Sequence, residues 1–329
     1  MDSKLNVAVI GIGKMGLMHA SILNTLPQVN LVALCDKSNF IRKFCKNMFK
    51  EKVHVVENLE EFADLNIDVV YITTPIPSHY GIAKSLFENV KTANIFTEKT
   101  LTNSFKNSVD ISQIAENSGK INMVGYMKRF SVTFRKAKEL IDANTIGALS
   151  SFEAHAFSSD FFGVETSKMS KGRGGVISDL GSHIIDIALW YFDSFKVEKL
   201  ANNVNIQNDV SFNVANNDLK GTFNVSWCKE GYHVPEFGLQ INGAEGKITV
   251  DDDTVILNKS GQTRQWFRHD LNDNVNFLLG APEYYRENEH FLLSVQKKTK
   301  AMPDFAVASK VDSVIDQVVE QIIEVPKNE

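Results

Sequence analysis

Disulfide bonding has almost nothing to work with in this sequence. Its three cysteines, Cys35, Cys45 and Cys228, are an odd number without short pairing, so they define neither a disulfide framework nor a metal-ligand spacing. Cys35 lies in an apolar run and is expected to be a small core residue, and a reducing, cytoplasmic setting fits. A surplus of positive charge is also missing. The formal net charge is −5, and clusters such as Lys128-Arg129 are too small to build the basic face that nucleic acid needs. Long hydrophobic runs are absent: no uncharged apolar stretch approaches the roughly 20 residues of a membrane span. The nearest, residues 184–192, is interrupted by Asp186 and preceded by Asp179 and His183, so it reads as a buried helix. The opening MDSKLNVAVIGIG enters a strand almost at once and lacks the basic, apolar and small-residue succession of a secretory signal.

What is present is an ordinary globular composition over 329 residues, a length that favours two domains. Residues 6–10, 31–34, 53–56, 69–72, 93–96 and 121–124 are short apolar runs, and helical spacing alternates with them up to residue 115. Strands buried on both faces read as apolar runs, and this alternation implies a parallel sheet. After about residue 123 the pattern changes. Helical spacing over 130–141 and 179–192 is joined by strand-like segments at 149–157, 197–206, 219–227, 237–241, 247–250 and 254–257, and helices return at 283–295 and 304–323. Thr222, Asn224 and Ser226 alternate with Phe223, Val225 and Trp227, which suggests an antiparallel sheet with one covered face. The expectation is therefore an α/β chain with a parallel-sheet domain over 1–123 and a second α/β domain over 124–329.

Gly11, Gly13 and Gly16 form G-x-G-x-x-G, with Ile12, Lys14 and Met15 between them, directly after a strand and before a helix. Glycines there permit a tight turn, close approach of the backbone to a pyrophosphate, and close packing of helix on strand. The N–H groups at the helix start then face the phosphates. The alternative is a plain strand-to-helix turn. Asp36 ends the second apolar run, about 20 residues past the last glycine, where a ribose-binding acid is expected in a Rossmann domain. A carboxylate there accepts from ribose hydroxyls and repels a 2′-phosphate, which favours NAD over NADP. Lys37 and Arg42 could instead accommodate that phosphate, and Asp36 could simply cap a helix.

VAVIGIGKMGLMHA, ITTPIPSHYGIAKSLFE, FTEKT, GYMKRF, GGVISDLGSHIIDIALWYF and YYRENEHFLLSV together resemble the Gfo/Idh/MocA oxidoreductase family, over nearly the whole chain. The resemblance implies a Rossmann domain followed by an α/β domain with a large open sheet, cofactor at the carboxyl ends of the Rossmann strands, and substrate between the domains. It assigns Lys99, Asp179 and His183 to catalysis and places Thr74, Pro75, His79 and Glu98 near the cofactor. It also implies a sugar, cyclitol or sugar nucleotide as substrate, and an exposed face of the large sheet suggests a homodimer or homotetramer through the C-terminal sheet. Thr100 stands where the family usually has proline, a residue that would restrict the backbone around Lys99 and often marks a cis bond.

The residue types suit these roles. Removing hydride from a secondary alcohol also requires the hydroxyl proton to leave, and an imidazole such as His183 can take it. Asp179, one helical turn earlier, could orient that ring or bind a substrate hydroxyl. Lys99 would stabilise a developing alkoxide. Asp179, His183 and Asp186 could also suggest a metal, but no second ligand pair accompanies them, so no metal is expected. Arg129 and Arg173 are candidate substrate cations or solvated surface, His155, Tyr232 and His233 are weaker substrate candidates, and Trp190, Phe192 and Trp227 read as core. Two functional classes remain, a dinucleotide-dependent dehydrogenase or reductase and a dinucleotide-binding regulator without catalysis. The combination of Lys99, Asp179 and His183 favours the enzyme.

Overall fold

A computed structural model of the chain describes residues 4–49, 52–62, 65–89, 93–163, 174–200, 208–216, 218–275 and 281–323. It divides into two compact units, Met1–Tyr126 with Val275–Asp312, and Met127–Asn274 with Ser313–Glu329.

The first unit is a six-stranded parallel sheet in the order β3-β2-β1-β4-β5-β6. The strands are β1 (Leu5–Ile10), β2 (Val29–Cys35), β3 (His54–Val56), β4 (Val69–Ile72), β5 (Asn94–Glu98) and β6 (Asn122–Gly125). Their apolar runs bury the inner strands on both faces: Val7, Ala8, Val9, Val70, Tyr71 and Phe96 have no exposed surface. Helices α1 (Lys14–Thr25), α2 (Asn39–Phe49), α3 (His79–Asn89) and α4 (Phe105–Ser118) make the crossovers. Strand order reverses at β1, whose neighbours are β2 and β4, which opens a crevice at the carboxyl ends of these strands.

The same unit includes α7 (Glu283–Lys297) and the first residues of α8 (Phe305–Ile323). Two contiguous domains, 1–123 and 124–329, were expected, and the return of Val275–Asp312 corrects that division. Burial explains it. Phe291 of α7 packs on Tyr71 and Phe96 at 5.8 and 5.7 Å, and Phe305 N–H donates to Asn122 Oδ1 at 2.8 Å. Nothing in chain order announces such distant pairings.

The second unit is an eight-stranded mixed sheet in the order β14-β13-β12-β11-β7-β10-β9-β8. It comprises β7 (Leu149–Phe157), β8 (Lys196–Leu200), β9 (Asp209–Asn216), β10 (Leu219–Ser226), β11 (Glu236–Gly243), β12 (Gly246–Asp251), β13 (Thr254–Lys259) and β14 (Gln262–Phe267). Only the β7–β10 pair is parallel among its described pairings. One face is apolar: Phe152 stacks on Phe192, and Phe223 on Phe212. The other carries polar pairs such as Ser211–Asn224, Asn213–Thr222 and Ser151–Asn242. The alternation read over 222–227 is this two-faced pleat. Helices α5 (Val132–Asp142) and α6 (Ser182–Phe192) belong to this unit, and every α6 residue except Trp190 is buried. Among the described residues, no helix is long and apolar enough to cross a membrane.

Candidate active site

In the first unit, the residues singled out from sequence gather at the carboxyl ends of β1, β2, β4 and β5. Gly11 leaves β1 with φ +87°, a conformation only glycine adopts without strain, and a Cβ there would come within 2.6 Å of Thr74 Cγ2. A Cβ on Gly16 would lie 2.0 Å from the Gly11 carbonyl oxygen, so α1 can approach β1 only with glycine at this position. Gly13 differs: a Cβ there would meet nothing within 4 Å. It caps α1 without a side-chain hydrogen bond, and the first turn of α1 holds no acidic residue. Lys14 is exposed and Met15 half-buried. Uncapped amides beside open space are the features a pyrophosphate requires, so this loop fits a dinucleotide.

Asp36 follows β2. Its Oδ2 accepts from the Ile12 N–H at 2.7 Å and its Oδ1 from the Ser38 N–H at 2.7 Å. Each oxygen keeps a second lone pair, so the carboxylate is both fixed and able to accept from ribose hydroxyls. Arg42, a potential partner for a 2′-phosphate, is committed elsewhere: it donates to the Asp36 and Lys37 carbonyls at 2.9 and 2.8 Å and to Glu57 at 2.8 Å. Lys37 is exposed.

Thr74 and Pro75 follow β4 beside Gly11, with Thr74 half-buried and Pro75 exposed. His79, at the start of α3, is buried, and its ring nitrogens lie 2.9 Å from the Thr100 carbonyl and 2.7 Å from the Thr74 carbonyl. Burial holds its pKa below the ordinary histidine value, against the raising effect of those carbonyls and of Glu98. Glu98 ends β5 and is buried, with Oε1 2.8 Å from His19 Nε2 and Oε2 accepting from the Lys99 N–H at 3.1 Å. Lys99 itself is half-buried, and the Lys99–Thr100 peptide is cis, the form associated with the missing proline. His19 was not singled out in the sequence. It lies three residues past Gly16 on α1, a spacing that puts the two near one helix face, but its second partner, Asn288 at 3.1 Å, is 269 residues away.

In the second unit, Asp179 lies on a π turn, Ile177–Gly181, and not on the regular helix that was expected. Such wide turns are frequent at functional sites. Asp179 is half-buried and His183, in the first turn of α6, is 7% exposed. The His183 ring meets the Phe237 ring edge-on at 5.3 Å, and the Lys128 ammonium lies 4.6 Å over that same phenyl. Lys128 pairs with Asp252, whose other oxygen accepts from the Phe237 N–H at 3.1 Å. A carboxylate, an imidazole and an ammonium thus meet around an aromatic wall. Phe237 and Lys128 were missed as site residues, and only the GYMKRF motif pointed toward the latter.

The candidate substrate cation Arg129 has another use. It is buried, and its guanidinium is bidentate to Asp186 at 2.7 and 2.6 Å, with Trp190 at 5.7 Å from its centre. Burial raises the Asp186 pKa and the guanidinium opposes it. Arg129 is therefore a core ion pair of α6, and the substrate role expected for it is not supported. His155 on β7 lies half-buried, 3.2 Å from Glu236. Arg173 lies outside the described residues. Among the described residues, no three of His, Cys, Asp and Glu are grouped to hold a metal.

The sequence family described as "oxidoreductase family, NAD-binding Rossmann fold" matches residues 5–126, and the "GFO/IDH/MocA C-terminal domain" matches residues 134–249. The chain is similar to the scyllo-inositol 2-dehydrogenase (NAD(+)) of Bacillus subtilis, with 32% identity over 190 residues, 57% of this chain and 54% of that protein. It is also similar to the inositol 2-dehydrogenase of Mycolicibacterium smegmatis, with 32% identity over 149 residues, 44% of this chain and 42% of that protein. The match thus spans about half the length of these curated relatives. Among solved structures, a levoglucosan dehydrogenase in complex with NADH and L-sorbose superposes with a TM-score of 0.85 at 18% identity, over 98% of this chain and 97% of that one. An Agrobacterium radiobacter oxidoreductase in complex with NAD+, L-tartaric acid and magnesium gives 0.81 at 16% identity, over 98% and 97%. At these identities the superpositions establish the fold.

Proposed function

This chain belongs to the Gfo/Idh/MocA oxidoreductase family, its first unit being the NAD-binding Rossmann domain, and on that premise we propose that it oxidises a secondary hydroxyl of a sugar, cyclitol or sugar nucleotide, or reduces the matching ketone. The observation that carries this reading is the carboxyl edge of the parallel sheet, where the Gly11–Gly13–Gly16 cradle, Asp36 and Lys99 come together. When bound, the nicotinamide accepts or returns the hydride.

The chain's own groups have narrower tasks. The N–H groups at the start of α1 hold the pyrophosphate, and Asp36 holds the ribose hydroxyls. As hydride leaves the carbinol carbon, the hydroxyl proton goes to His183 and the C–O bond becomes a carbonyl. Asp179 orients the imidazole or a neighbouring substrate hydroxyl. The Lys99 ammonium stabilises negative charge on the substrate oxygen. Lys128, held over Phe237, is a further candidate contact for substrate hydroxyls.

The commitment of Arg42 to Glu57 and two carbonyls supports NAD over NADP. The free thiols Cys35, Cys45 and Cys228 support a reducing compartment. The polar face of the eight-stranded sheet is our candidate for self-association, to be checked by light scattering. The function is tested by incubating the protein with NAD+ or NADP+ and scyllo-inositol, myo-inositol, levoglucosan and a panel of sugars and nucleotide sugars, and following reduced-cofactor fluorescence. NADH formation with at least one compound, faster than NADPH formation, is expected. Cofactor binding without any turnover supports the regulator instead.

A further inference from the structure

Two buried histidines grip the backbone on either side of Lys99, and we propose that His79 and His19 are positioning residues that fix the aim of the Lys99 amine. This rests on the reading of Lys99 as the cation that stabilises the substrate oxygen. Toward the amino side, the Lys99 N–H donates to Glu98 Oε2 at 3.1 Å, and Glu98 Oε1 lies 2.8 Å from His19 Nε2. His19 is tied in turn to Asn288 at 3.1 Å, and Asn288 donates to the Tyr284 carbonyl at 2.7 Å. Toward the carboxyl side, His79 Nδ1 lies 2.9 Å from the Thr100 carbonyl and Nε2 lies 2.7 Å from the Thr74 carbonyl. His79 therefore bridges the chain segments that follow β4 and β5.

The peptide groups held in this way are the N–H of Lys99 and the C=O of Thr100. The backbone position at which the Lys99 stem is rooted sets the region its amine can reach. Both histidines are buried, with His19 at 0% and His79 at 1% exposure, so water cannot take over their hydrogen bonds when they are removed. Neither ring is placed by this geometry to exchange a proton with substrate. A neutral imidazole donates from one nitrogen only and both neighbours are carbonyl oxygens, so only one of the two His79 contacts is a hydrogen bond at a time. Positioning of Lys99 requires that it be the Thr100 contact.

That requirement can be measured. His79→Asn keeps a donor near the place of Nδ1, and His79→Gln keeps one near the place of Nε2. Turnover of the fastest polyol from the substrate panel, and NADH affinity by fluorescence titration, are compared for both variants in the wild-type and Lys99→Met backgrounds. His79→Gln is expected to lower kcat by about 10- to 100-fold, the scale of a small misplacement of a reacting group, with NADH affinity little changed. His79→Asn should recover most of that loss. In the Lys99→Met background neither substitution should lower kcat further, because a residue acting through Lys99 has nothing left to position. Equal losses for the two variants, full additivity with Lys99→Met, or weakened NADH binding at unchanged kcat would overturn the proposal. If Lys99→Met alone keeps wild-type turnover, the underlying reading of Lys99 fails, and that outcome involves neither histidine. A second readout needs no substrate or cofactor. Hydrogen exchange at the Lys99 amide should accelerate by about 10-fold or more in His19→Gln and His19→Leu while the Phe96 amide keeps its rate. Unchanged exchange at Lys99 in both would remove His19 from the proposal.

Discussion

Arg129 and Asp186 show how one contact redirects the reading of a residue. In sequence Arg129 is a cation beside an aromatic and could serve an anionic substrate. In the fold all the polarity it offers Asp186 is spent inside the core, in a bidentate pair. Removing one partner of a buried pair strands the other charge, so Arg129→Leu should cost about 3–5 kcal/mol in urea unfolding. A loss below about 1 kcal/mol, the range of an exposed pair, would return Arg129 to the list of substrate contacts. His79 supplies a pH effect. Burial lowers its pKa in the fold, so as pH falls below about 6.5 the unfolded chain takes a proton that the folded ring refuses. Stability from this group is complete above that pH and declines below it, by at most about 1.4 kcal/mol per pH unit. Unfolding curves at about pH 7.5 and 5.5 should show a smaller drop for His79→Asn than for wild type. Parallel losses in the two proteins would contradict the assignment.

At the scale of elements, the glycine loop separates two demands that the G-x-G-x-x-G pattern merges. Gly11 and Gly16 serve the protein, since a Cβ at either collides with Thr74 or with the Gly11 carbonyl. Gly13 has no such structural need, since its missing Cβ leaves open space and its φ of −75° suits any residue, and the role proposed for it is room for the ligand. Gly13→Val should therefore fold with unchanged thermal stability and lose NADH affinity by about 100-fold or more, the loss read by fluorescence titration. Wild-type affinity in that folded variant would remove the cradle from the account.

Elements were also where local patterns spoke most clearly. The apolar run at 69–72 and the strand-like segment at 149–157 coincide with β4 and β7, because a doubly buried strand and a two-faced strand each leave their own periodicity. β9 and β14 escaped notice. Asp209–Asn216 interleaves polar side chains with its apolar face, and five of the six β14 side chains, all but Trp266, are exposed, so neither forms an apolar run. The π turn at Asp179 escaped too, since residue spacing alone does not separate a wide turn from a regular one.

For the molecule as a whole, chain order is a poor guide to membership. α7 joins the first unit through the contacts of Phe291 with Tyr71 and of Asn288 with His19, each made more than two hundred residues apart in sequence. The same long-range pairing hid His19, whose function as an anchor for Glu98 depends on a helix near the other end of the chain. The candidate site was legible where its chemistry is local: the glycine turn, the acid after β2, the lysine after β5 and the Asp179–His183 spacing. It was illegible where a neighbour from another element decides the role, as for Arg129, Lys128 and Phe237.

The central claim is that this family scaffold performs hydride-transfer chemistry, with His183 taking the proton and Lys99 holding the charge on the substrate oxygen. The most direct test compares kcat with NADH affinity in His183→Ala and Lys99→Met, using the fastest polyol of the panel and proteins shown to be folded by circular dichroism. Each substitution should lower kcat by roughly 100-fold or more while leaving NADH affinity near that of the wild type, since neither group is assigned to hold the cofactor. Undiminished turnover in His183→Ala would contradict the mechanism, and so would a loss in either variant that appears only as weaker NADH binding.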